Sequence, residues 1–391
     1  MRLIMVSSDK ALLEENSKVR ERLVSYSQSF KEVYVVLFCL KKNSAGVPEV
    51  VSVGKSFHIY PTKSYSKLLF IFDAFWIGRK IIRRIRPSRL TGKIKVQRCA
   101  VTAQDPFEAG KAGWLISRLG GFPLELQVHT DFLNPYFGKM SLLNKFRVSM
   151  ARFLIPRADI VRAVSSRVAD SIRATGLSDH VYILPVALDT RSIVAAAKSN
   201  LFSGYPQYKF SIFTAARLEP EKNLSLAISA LAVVMRKYPL AGLFIAGTGS
   251  QRSALESFSR RLGVDSNVVF LGARDDVVSL TRAANVYLST SFYEGYGLSM
   301  AQAAVVGTPI VATEAGIVGE LGRVGAAVVC QIHDAECVAA GIIGLLENNE
   351  TRERVRSEAR TAIASLIVGR KKYMSVWLAA LEKIIDKRSR R

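Results

Sequence analysis

The sequence predicts an α/β protein built from two domains, each with a parallel sheet and crossover helices. Short runs rich in Val, Ile and Phe alternate with longer segments of helical period, and this alternation occurs twice along the chain. A length of 391 residues suits two domains, each with a core of its own. The predicted strands are residues 3–6, 33–40, 94–102, 124–129, 160–164 and 181–186 in the first half, and 210–215, 242–246, 268–271, 286–290, 309–312 and 326–330 in the second.

A linker with a short helix separates the two halves, because the sequence from Leu188 to Gln207 mixes small and polar residues with Gly204 and Pro206. The final segment repeats apolar residues with a period of 3.6, which predicts an amphipathic helix that needs a surface to bury its stripe. That stripe consists of Tyr373, Trp377, Ala380, Leu381 and Ile384. The predicted units are a first domain at residues 1–188, the linker at 189–207, a second domain at 208–369 and the terminal helix at 370–391.

The composition is that of a soluble globular protein, with 49% apolar and 22% charged residues and no apolar run of the length that a membrane helix needs. The net charge of +23 implies an anionic partner, which can be phosphate, nucleic acid or an acidic membrane surface. Residues 1–190 carry 30 Lys and Arg against 15 Asp and Glu, so the excess is greatest in the first half. The N-terminus resembles a first strand more than a signal peptide, and we expect a cytoplasmic protein.

Four cysteines are scattered along the chain and show neither zinc-finger nor C-x-x-C spacing. They are Cys39, Cys99, Cys330 and Cys337. We expect all four to be buried thiols, and we expect no metal site.

Two cations follow the first strand of the second half. Arg217 and Lys222 come directly after the strand predicted at 210–215 and before a helix that begins near Asn223. In open α/β sheets ligands bind beyond the carboxyl ends of the strands, and a helix N-terminus there favours anions. A guanidinium fork and an ammonium can together neutralise a diphosphate. The alternative is a solvated charged turn.

Glycine turns follow the next two strands. Gly247-Thr248-Gly249 comes after the strand that ends at Ala246, and Gly272 comes after Leu271. Such turns allow a backbone to approach a ligand closely, although each can equally be an ordinary turn.

The most specific local pattern is Glu294-Gly295-Tyr296-Gly297-Leu298, which opens a helix that runs through Val306 and stops at Gly307. The glycines let the loop wrap around a ligand, the amides at the helix start face its phosphates, and the carboxylate can hold sugar hydroxyls. The alternative is a helix-start acid that is stabilised by the helix dipole.

Polar residues also follow strands in the first half. Asp105 comes after the strand at 94–102, and His129 and Asp131 come after the strand at 124–129. We expect these side chains on the acceptor side of a cleft, with His129 opposite the loop of the second half. A lone histidine of this kind is otherwise a structural residue.

Two segments combine aromatic and basic residues. Lys67 to Arg89 places apolar residues at helical spacing beside a cluster of arginines, and Ser141 to Arg157 repeats this pattern more weakly. The composition suits contact with an anionic membrane surface, and it suits equally a core-packed helix with a solvated basic end.

The motifs of the second half, taken in order, resemble those of family 4 retaining glycosyltransferases, which have the GT-B architecture of two facing Rossmann-like domains. The motifs are A-R-L-x-P-E-K-N, G-T-G, and E-G-Y-G-L before a helix that ends in G-T-P, within residues 205–370. The resemblance implies catalytic roles for Arg217, Lys222, Glu294 and His129, with the two cations on the diphosphate of a nucleotide sugar. It also implies donor contacts from Gly247, Gly249, Leu271, Gly272, Gly295, Tyr296, Gly297 and Leu298. It implies no metal and no cofactor, and a terminal helix that crosses back onto the first domain.

Two positions depart from the family pattern. The second glutamate of the E-x(7)-E motif is replaced by Gln302, whose amide can still bond a ribose hydroxyl, so we expect weaker or altered donor binding. Ser7-Ser8-Asp9 stands where a glycine-rich loop commonly follows the first strand.

The predicted function is transfer of a sugar, with retention, from a nucleotide diphosphate donor to a hydroxyl of a glycan or lipid-linked acceptor, in assembly of a cell-surface polysaccharide or glycolipid. A sugar-nucleotide epimerase of the same fold is one alternative. A basic nucleic-acid-binding protein is another, but none of the usual RNA or DNA motifs is present and we expect no nucleic-acid partner. If the segment from Lys67 to Arg89 binds lipid, the protein lies on the inner face of the plasma membrane.

Overall fold

The computed structural model describes residues 1–85 and 98–390, and its first half is organised around an eight-stranded sheet. The strand order is β3-β4-β2-β1-β5-β6-β7-β8, and every pairing is parallel except that of β3 with β4. The strands are β1 (Arg2–Ser7), β2 (Glu32–Leu37), β3 (Val51–Val53), β4 (Phe57–Pro61), β5 (Cys99–Ala103), β6 (Leu124–Val128), β7 (Ile160–Ala163) and β8 (Val181–Ile183).

The second half has a six-stranded parallel sheet with the order β11-β10-β9-β12-β13-β14. The central pair of this sheet is β9 and β12, so the carboxyl ends of two strands that are far apart in sequence lie side by side. The strands are β9 (Phe210–Ala215), β10 (Ala241–Ala246), β11 (Val268–Gly272), β12 (Val286–Ser289), β13 (Ile310–Thr313) and β14 (Val328–Cys330).

Helices connect the strands and cover both faces of each sheet. Those of the first half are α1 (Lys18–Ser27), α2 (Phe70–Ile85), α3 (Glu108–Gly120), α4 (Pro135–Lys139), α5 (Leu142–Leu154) and α6 (Ser166–Ala174), followed by α7 (Thr190–Ala195) in the linker. Those of the second half are α8 (Leu224–Met235), α9 (Arg252–Arg261), α10 (Val277–Ala283), α11 (Leu298–Val306), α12 (Val318–Arg323), α13 (Ala335–Glu347) and α14 (Asn349–Leu366), and α15 (Arg370–Ser389) ends the chain. None of the helices within the described ranges is both long and apolar enough to span a membrane.

The terminal helix α15 packs against the first half, as predicted. Trp377 is buried, and its indole ring meets the rings of Tyr26 and Phe30 edge to face, at centroid distances of 6.3 and 5.6 Å. Its Nε1–H also donates to Glu125 Oε2 on β6 at 3.0 Å. The predicted apolar stripe is therefore buried by the first domain, although it follows the second domain in sequence.

Three predictions about the fold need correction or fall outside the described ranges. The first sheet is not wholly parallel, because the short strands β3 and β4 were missed and β3 runs antiparallel at the edge. Their sequences, Val-Ser-Val and Phe-His-Ile-Tyr-Pro, lack the long apolar run that marks a central strand. The start of the strand predicted at 94–102 and the end of the basic segment at Lys67 to Arg89 lie outside the described residues.

The prediction of four buried thiols is correct for Cys39 and Cys99 and wrong for the other two. Cys330 at the end of β14 and Cys337 in the first turns of α13 form a disulfide, with their Cα atoms 5.8 Å apart. The chain reverses between that strand and helix, which brings together two cysteines whose spacing of seven residues matches no familiar motif.

Candidate active site

The structure brings Lys222 and Glu294 into direct contact. Lys222 Nζ lies 2.5 Å from Glu294 Oε1, and the Ser291 hydroxyl donates to the same oxygen at 2.8 Å. The two side chains are only 15% and 18% exposed. Lys222 follows β9 and Glu294 follows β12, so the pairing of these two strands explains why residues 72 positions apart meet. This is the carboxyl edge of the sheet, where ligands of open α/β folds bind.

The turn that carries Lys222 depends on the next residue. Asn223 adopts a left-handed conformation, with φ of 48°, between the single 3₁₀ turn at Pro220–Lys222 and the start of α8. Asparagine is one of the few residues besides glycine that occupies this region readily. The Thr290 hydroxyl also donates to the carbonyl oxygen of Lys222 at 3.1 Å, which fixes the turn against the end of β12.

Arg217 lies on the same loop, on its solvent-exposed side. Its side chain is 72% exposed, and its Nη2–H donates to Glu221 Oε1 at 2.7 Å. The carbonyl oxygen of Glu221 in turn accepts from the amide of Phe292 at 2.9 Å, so the loop after β9 is tied to the loop after β12. Glu221 is a residue of the site that the sequence analysis did not single out, although its spacing of four from Arg217 was a usable signal.

The turn at Gly247-Thr248-Gly249 packs on the loop that carries Arg217. A Cβ atom at Gly247 would overlap the carbonyl oxygen of Ala216, and one at Gly249 would overlap the backbone of Leu218. Leu218 N also donates to Thr248 O at 2.9 Å. The close approach that requires these glycines is therefore to the protein's own backbone. A contact of this turn with a nucleotide stays a prediction.

Leu271 and Gly272 form the end of β11, beside that turn. Gly272 O accepts from the amide of Gly247 at 2.7 Å, and both residues are partly exposed. Arg274, two residues later, pairs with Asp276 through both carboxylate oxygens, at 2.8 and 2.7 Å. The sheet edge next to the Arg217 loop is thus polar, and local hydrogen bonds hold it in place.

The helix α11 begins at Leu298 with an uncapped end. Its N-cap residue, Gly297, has no side chain to accept from the first-turn amides. These amides carry the positive end of the helix dipole. Leu298 is exposed, and Gln302 lies one turn further along the same side of the helix and is half-buried.

Tyr296 contributes backbone to this edge, whereas its side chain belongs to the core. Its hydroxyl donates to Leu366 O at 2.9 Å, and burial raises the pKa of the phenol. The phenol is therefore committed to holding the end of α14, and only the main chain of Tyr296 remains for a ligand.

The loop at Glu294 touches the first half of the chain through Gly295. A Cβ atom there would overlap the carbonyl oxygen of His129, and Gly295 O accepts from the Ser165 hydroxyl at 2.6 Å. The neighbouring aromatic residues continue the contact, because Phe292 stacks on Tyr136 with centroids 4.8 Å apart. The structure therefore places His129 opposite the Glu294 loop, as predicted.

A hydrogen-bond network fixes the protonation of His129. Its Nε2 lies 3.0 Å from Gln127 Oε1, which also accepts from Arg162 Nη1 at 3.2 Å, while Gln127 Nε2 donates to Thr102 Oγ1 at 2.9 Å. The amide oxygen therefore faces the ring, so this network assigns the proton to Nε2 and leaves Nδ1 as an acceptor. Desolvation, and then the charges of Arg162 and Arg22, lower the pKa of His129, which keeps the ring neutral at neutral pH although the residue is exposed.

The same network reaches the terminal helix. Glu125, Gln127 and His129 alternate along β6 and share one face of the sheet, and Glu125 accepts from Trp377 of α15. Of this row only His129 is predicted from the sequence, although the alternation Glu-Leu-Gln-Val-His indicates that three polar side chains share one face. Further donors to the Glu125 carboxylate are Thr102, at 2.6 Å, and Tyr182.

The two aspartates predicted on the acceptor side hold protein elements. Asp105 Oδ1 accepts from the amides of Phe107 and Ala109, at 2.8 and 3.2 Å, at the start of α3. Asp131 is buried and accepts from Arg167 Nε at 3.2 Å. Their carboxylates are engaged within the first half, and their place on the acceptor side stays a prediction.

The sequence of the second half has known relatives. Residues 202–362 match the family of glycosyl transferases group 1. This match contains Arg217, Lys222 and Glu294, while His129 lies outside it. The resemblance inferred from the motifs is thereby confirmed at the level of group 1, and membership of family 4 stays a prediction.

Curated relatives carry the same kind of name. The chain is 33% identical to a glycogen synthase of Mycobacterium tuberculosis over 154 residues, which cover 38% of this chain and 37% of that protein. It is 32% identical to a phosphatidyl-myo-inositol mannosyltransferase of the same species over 195 residues, which cover 48% of this chain and 50% of that protein. The chain thus matches half or less of the length of these relatives.

Solved structures establish the fold along the whole chain. Anabaena HepE in complex with UDP and glucose has a TM-score of 0.70 at 18% identity, with all of both chains covered. The sucrose-phosphate synthase of Thermosynechococcus elongatus has a TM-score of 0.78 at 14% identity, with 99% of this chain and all of that one covered. The fold is therefore GT-B, with the group 1 match in its second half.

Proposed function

We propose that this protein is a retaining glycosyltransferase that moves a sugar from a nucleotide diphosphate donor to a hydroxyl acceptor. The observation that carries the proposal is the contact of Lys222 with Glu294 at the carboxyl edge of the second sheet, with Arg217 on the adjoining loop. A group 1 match and glycosyltransferase relatives support this assignment.

The cations act on the leaving group. As the bond from the sugar to the diphosphate breaks, negative charge grows on the diphosphate, and preorganised donors that meet this charge lower the barrier. Lys222 supplies a point charge, Arg217 a planar fork, and the first-turn amides of α11 further donors. Arg217 exchanges Glu221 for the diphosphate when the donor binds, and its exposure permits this movement.

Glu294 and His129 act on the sugar. Once the diphosphate attracts Lys222, the Glu294 carboxylate accepts hydrogen bonds from sugar hydroxyls, with the Ser291 hydroxyl holding it in place. The neutral His129 ring offers Nδ1 as an acceptor from the opposite half. The acceptor hydroxyl attacks from the face that the diphosphate leaves, which retains the configuration and needs no protein nucleophile.

The donor is a nucleoside diphosphate sugar, and the reaction needs no metal ion. Gln302 bonds the ribose where the family pattern has a glutamate. The HepE structure, solved with UDP and glucose, supports a donor of this class.

The proposal is tested by incubation with UDP-, GDP- and ADP-sugars together with hydroxyl acceptors, followed by mass and anomeric analysis of the products. We expect a new glycoside with the anomeric configuration of the donor, formed at an unchanged rate in EDTA. An isomerised sugar nucleotide without transfer would establish the epimerase instead. An inverted product would contradict retention, and loss of activity in EDTA would contradict metal independence.

The enzyme works at an anionic membrane surface, on the inner face of the plasma membrane, in cell-surface polysaccharide or glycolipid synthesis. Support comes from α2 and the turn before it, where Leu68, Phe72 and Trp76 are 91%, 59% and 43% exposed beside Arg79, whose guanidinium lies 5.1 Å from the Trp76 ring. The buried side of the helix packs in the core, as one of the two expectations for this segment has it, and its exposed side is available to lipid.

Liposome co-sedimentation at low salt tests the membrane step. We expect the protein to bind vesicles of phosphatidylglycerol more than those of phosphatidylcholine. The triple variant Leu68→Ser, Phe72→Ser, Trp76→Ser should lose most of this binding. The matched control changes exposed apolar residues of the second half, Leu240→Ser and Leu262→Ser, and should bind as before. Equal binding by both variants would contradict a role for α2.

A further inference from the structure

A cavity of about 850 Å³ lies on the first half, between the start of α1, the start of the linker and the start of α15. It adjoins a recess of about 60 Å³ whose lining includes His129. Arg22, Tyr26 and Ala187 line both spaces, so the wide cavity leads to the imidazole of His129, a residue whose carbonyl oxygen lies against Gly295.

The wide cavity is strongly cationic. Two acids line it, Glu21 and Asp189, and Asp189 is engaged in accepting from the Ser192 amide at the start of α7. Within the part of the chain that the structure describes, none of its basic side chains is in a salt bridge. These are Lys18, Arg22, Arg191, Arg370, Lys371 and Lys372.

The inner recess has a different chemistry. Its polar lining includes Arg22 and Arg162, of which Arg162 is engaged with Gln127 Oε1 and Leu184 O, and it also includes the amides of Gln104 and Gln127 and the imidazole of His129, which offer donors and acceptors to a hydroxyl group. A hydroxyl compound therefore fits the recess, and an anion fits the cavity outside it. A molecule that carried both groups would place its hydroxyl at the imidazole of His129.

We propose that the acceptor is a phosphate ester, with its phosphate held by the cationic cavity and a free hydroxyl directed into the recess at His129. This inference rests on the proposed function, because it names the acceptor of that reaction. Several cations that converge on one concave space suit a phosphate, which accepts both the guanidinium fork and ammonium donors. The phosphate comes from a water-soluble ester or from the headgroup of a lipid.

Binding of inorganic phosphate, measured by calorimetry at low salt, tests the cavity without a donor. The variant Arg370→Gln, Lys371→Gln removes two cavity cations from the first turn of α15. The matched control Lys383→Gln, Lys387→Gln removes two exposed cations from the same helix, outside the cavity lining. Lys222→Ala, at the donor edge, distinguishes phosphate bound there from phosphate bound in the cavity.

We expect the cavity variant to bind phosphate at least 5-fold more weakly than the wild type, and the control variant to bind within 2-fold of it. Equal affinity in the cavity and control variants would overturn the inference, and so would a loss confined to Lys222→Ala. Melting temperatures confirm that each variant is folded.

Two phosphate esters then distinguish the sources. Glucose 6-phosphate represents a soluble ester, and dihexanoyl phosphatidylglycerol below its micelle-forming concentration represents a lipid headgroup. The ester that binds more tightly indicates whether the phosphate comes from a soluble ester or from a lipid. In transfer assays, the cavity variant should have a higher KM for the acceptor and an unchanged KM for the donor. Transfer with an unchanged acceptor KM would overturn the inference and leave the glycosyltransferase proposal intact. If phosphate binds in the cavity but no sugar is transferred, the glycosyltransferase proposal is contradicted and the anion site in the cavity stands.

Discussion

The carbonyl oxygen of His129 lies against the α-carbon of Gly295, so closely that any side chain at position 295 would overlap it. This contact joins the end of β6 in the first half to the loop after β12 in the second. A hydrogen bond of 2.6 Å from the Ser165 hydroxyl to Gly295 O lies beside it. The two halves of the cleft are thus held together at the residue that follows Glu294.

Gly295→Ala should separate the two halves at the site. The added methyl group meets backbone, which cannot move aside as a side chain can, so the loop or the domain must shift. A misplacement of about 1 Å costs on the order of 100-fold in rate, and we expect a loss of at least 10-fold in transfer.

Gly344→Ala in α13 is the matched control, because nothing lies within 4 Å of a Cβ atom there. We expect it to keep full activity. Equal activity of the two variants would contradict a role for the His129 contact.

Trp377→Ala should destabilise the protein by about 3 to 5 kcal/mol, the range typical of a buried large side chain. The change removes the ring that packs on Tyr26 and Phe30, and it removes a donor to the buried Glu125 carboxylate. Urea unfolding measures this loss. Trp76→Ala, at a tryptophan that is 43% exposed, should change stability by about 1 kcal/mol or less. A similar small effect at both positions would show that α15 does not anchor on the first half.

Asp105 should make stability depend on pH between about 4 and 6. Burial, with a smaller contribution from the Glu108 charge, raises the pKa of Asp105 from 3.8 to about 6. The folded state therefore binds a proton that the unfolded state releases in this window, so stability falls as pH rises through it.

Asp105→Asn keeps an oxygen acceptor for the amides of Phe107 and Ala109 and removes this charge. In the variant, the unfolding free energy should change by about 1 to 2 kcal/mol less between pH 4 and 6 than in the wild type. This is below the full value for a two-unit pKa shift, because Asp105 is partly exposed. Denaturant unfolding at a series of pH values gives the result. An identical pH profile in the two proteins would show that Asp105 titrates normally.

Local sequence patterns were sufficient for the elements that the site requires. The apolar run at Phe210–Ala215 predicted β9 to the residue, and Gly307 marked the end of α11. Because strand ends carry ligands in this class of fold, the positions of Arg217, Lys222 and Glu294 followed from the strands that precede them.

Contacts between distant residues could not be predicted in the same way. The stacking of Tyr136 on Phe292 and the bond from Ser165 to Gly295 depend on how the two halves face each other. For the glycines at 247 and 249, the sequence indicates that the backbone approaches something closely but not what it approaches. The partner is the backbone of residues 216 and 218.

The rate of sugar transfer by Lys222→Ala, compared with that of Lys383→Ala, tests the central claim most directly. The first variant removes the cation that pairs with Glu294, and the second removes an exposed cation of α15. If Lys222 neutralises the departing diphosphate, its variant should lose at least 100-fold in kcat, the scale of about 3 kcal/mol of transition-state stabilisation, while its melting temperature stays near that of the control. Equal rates in the two variants would contradict the account.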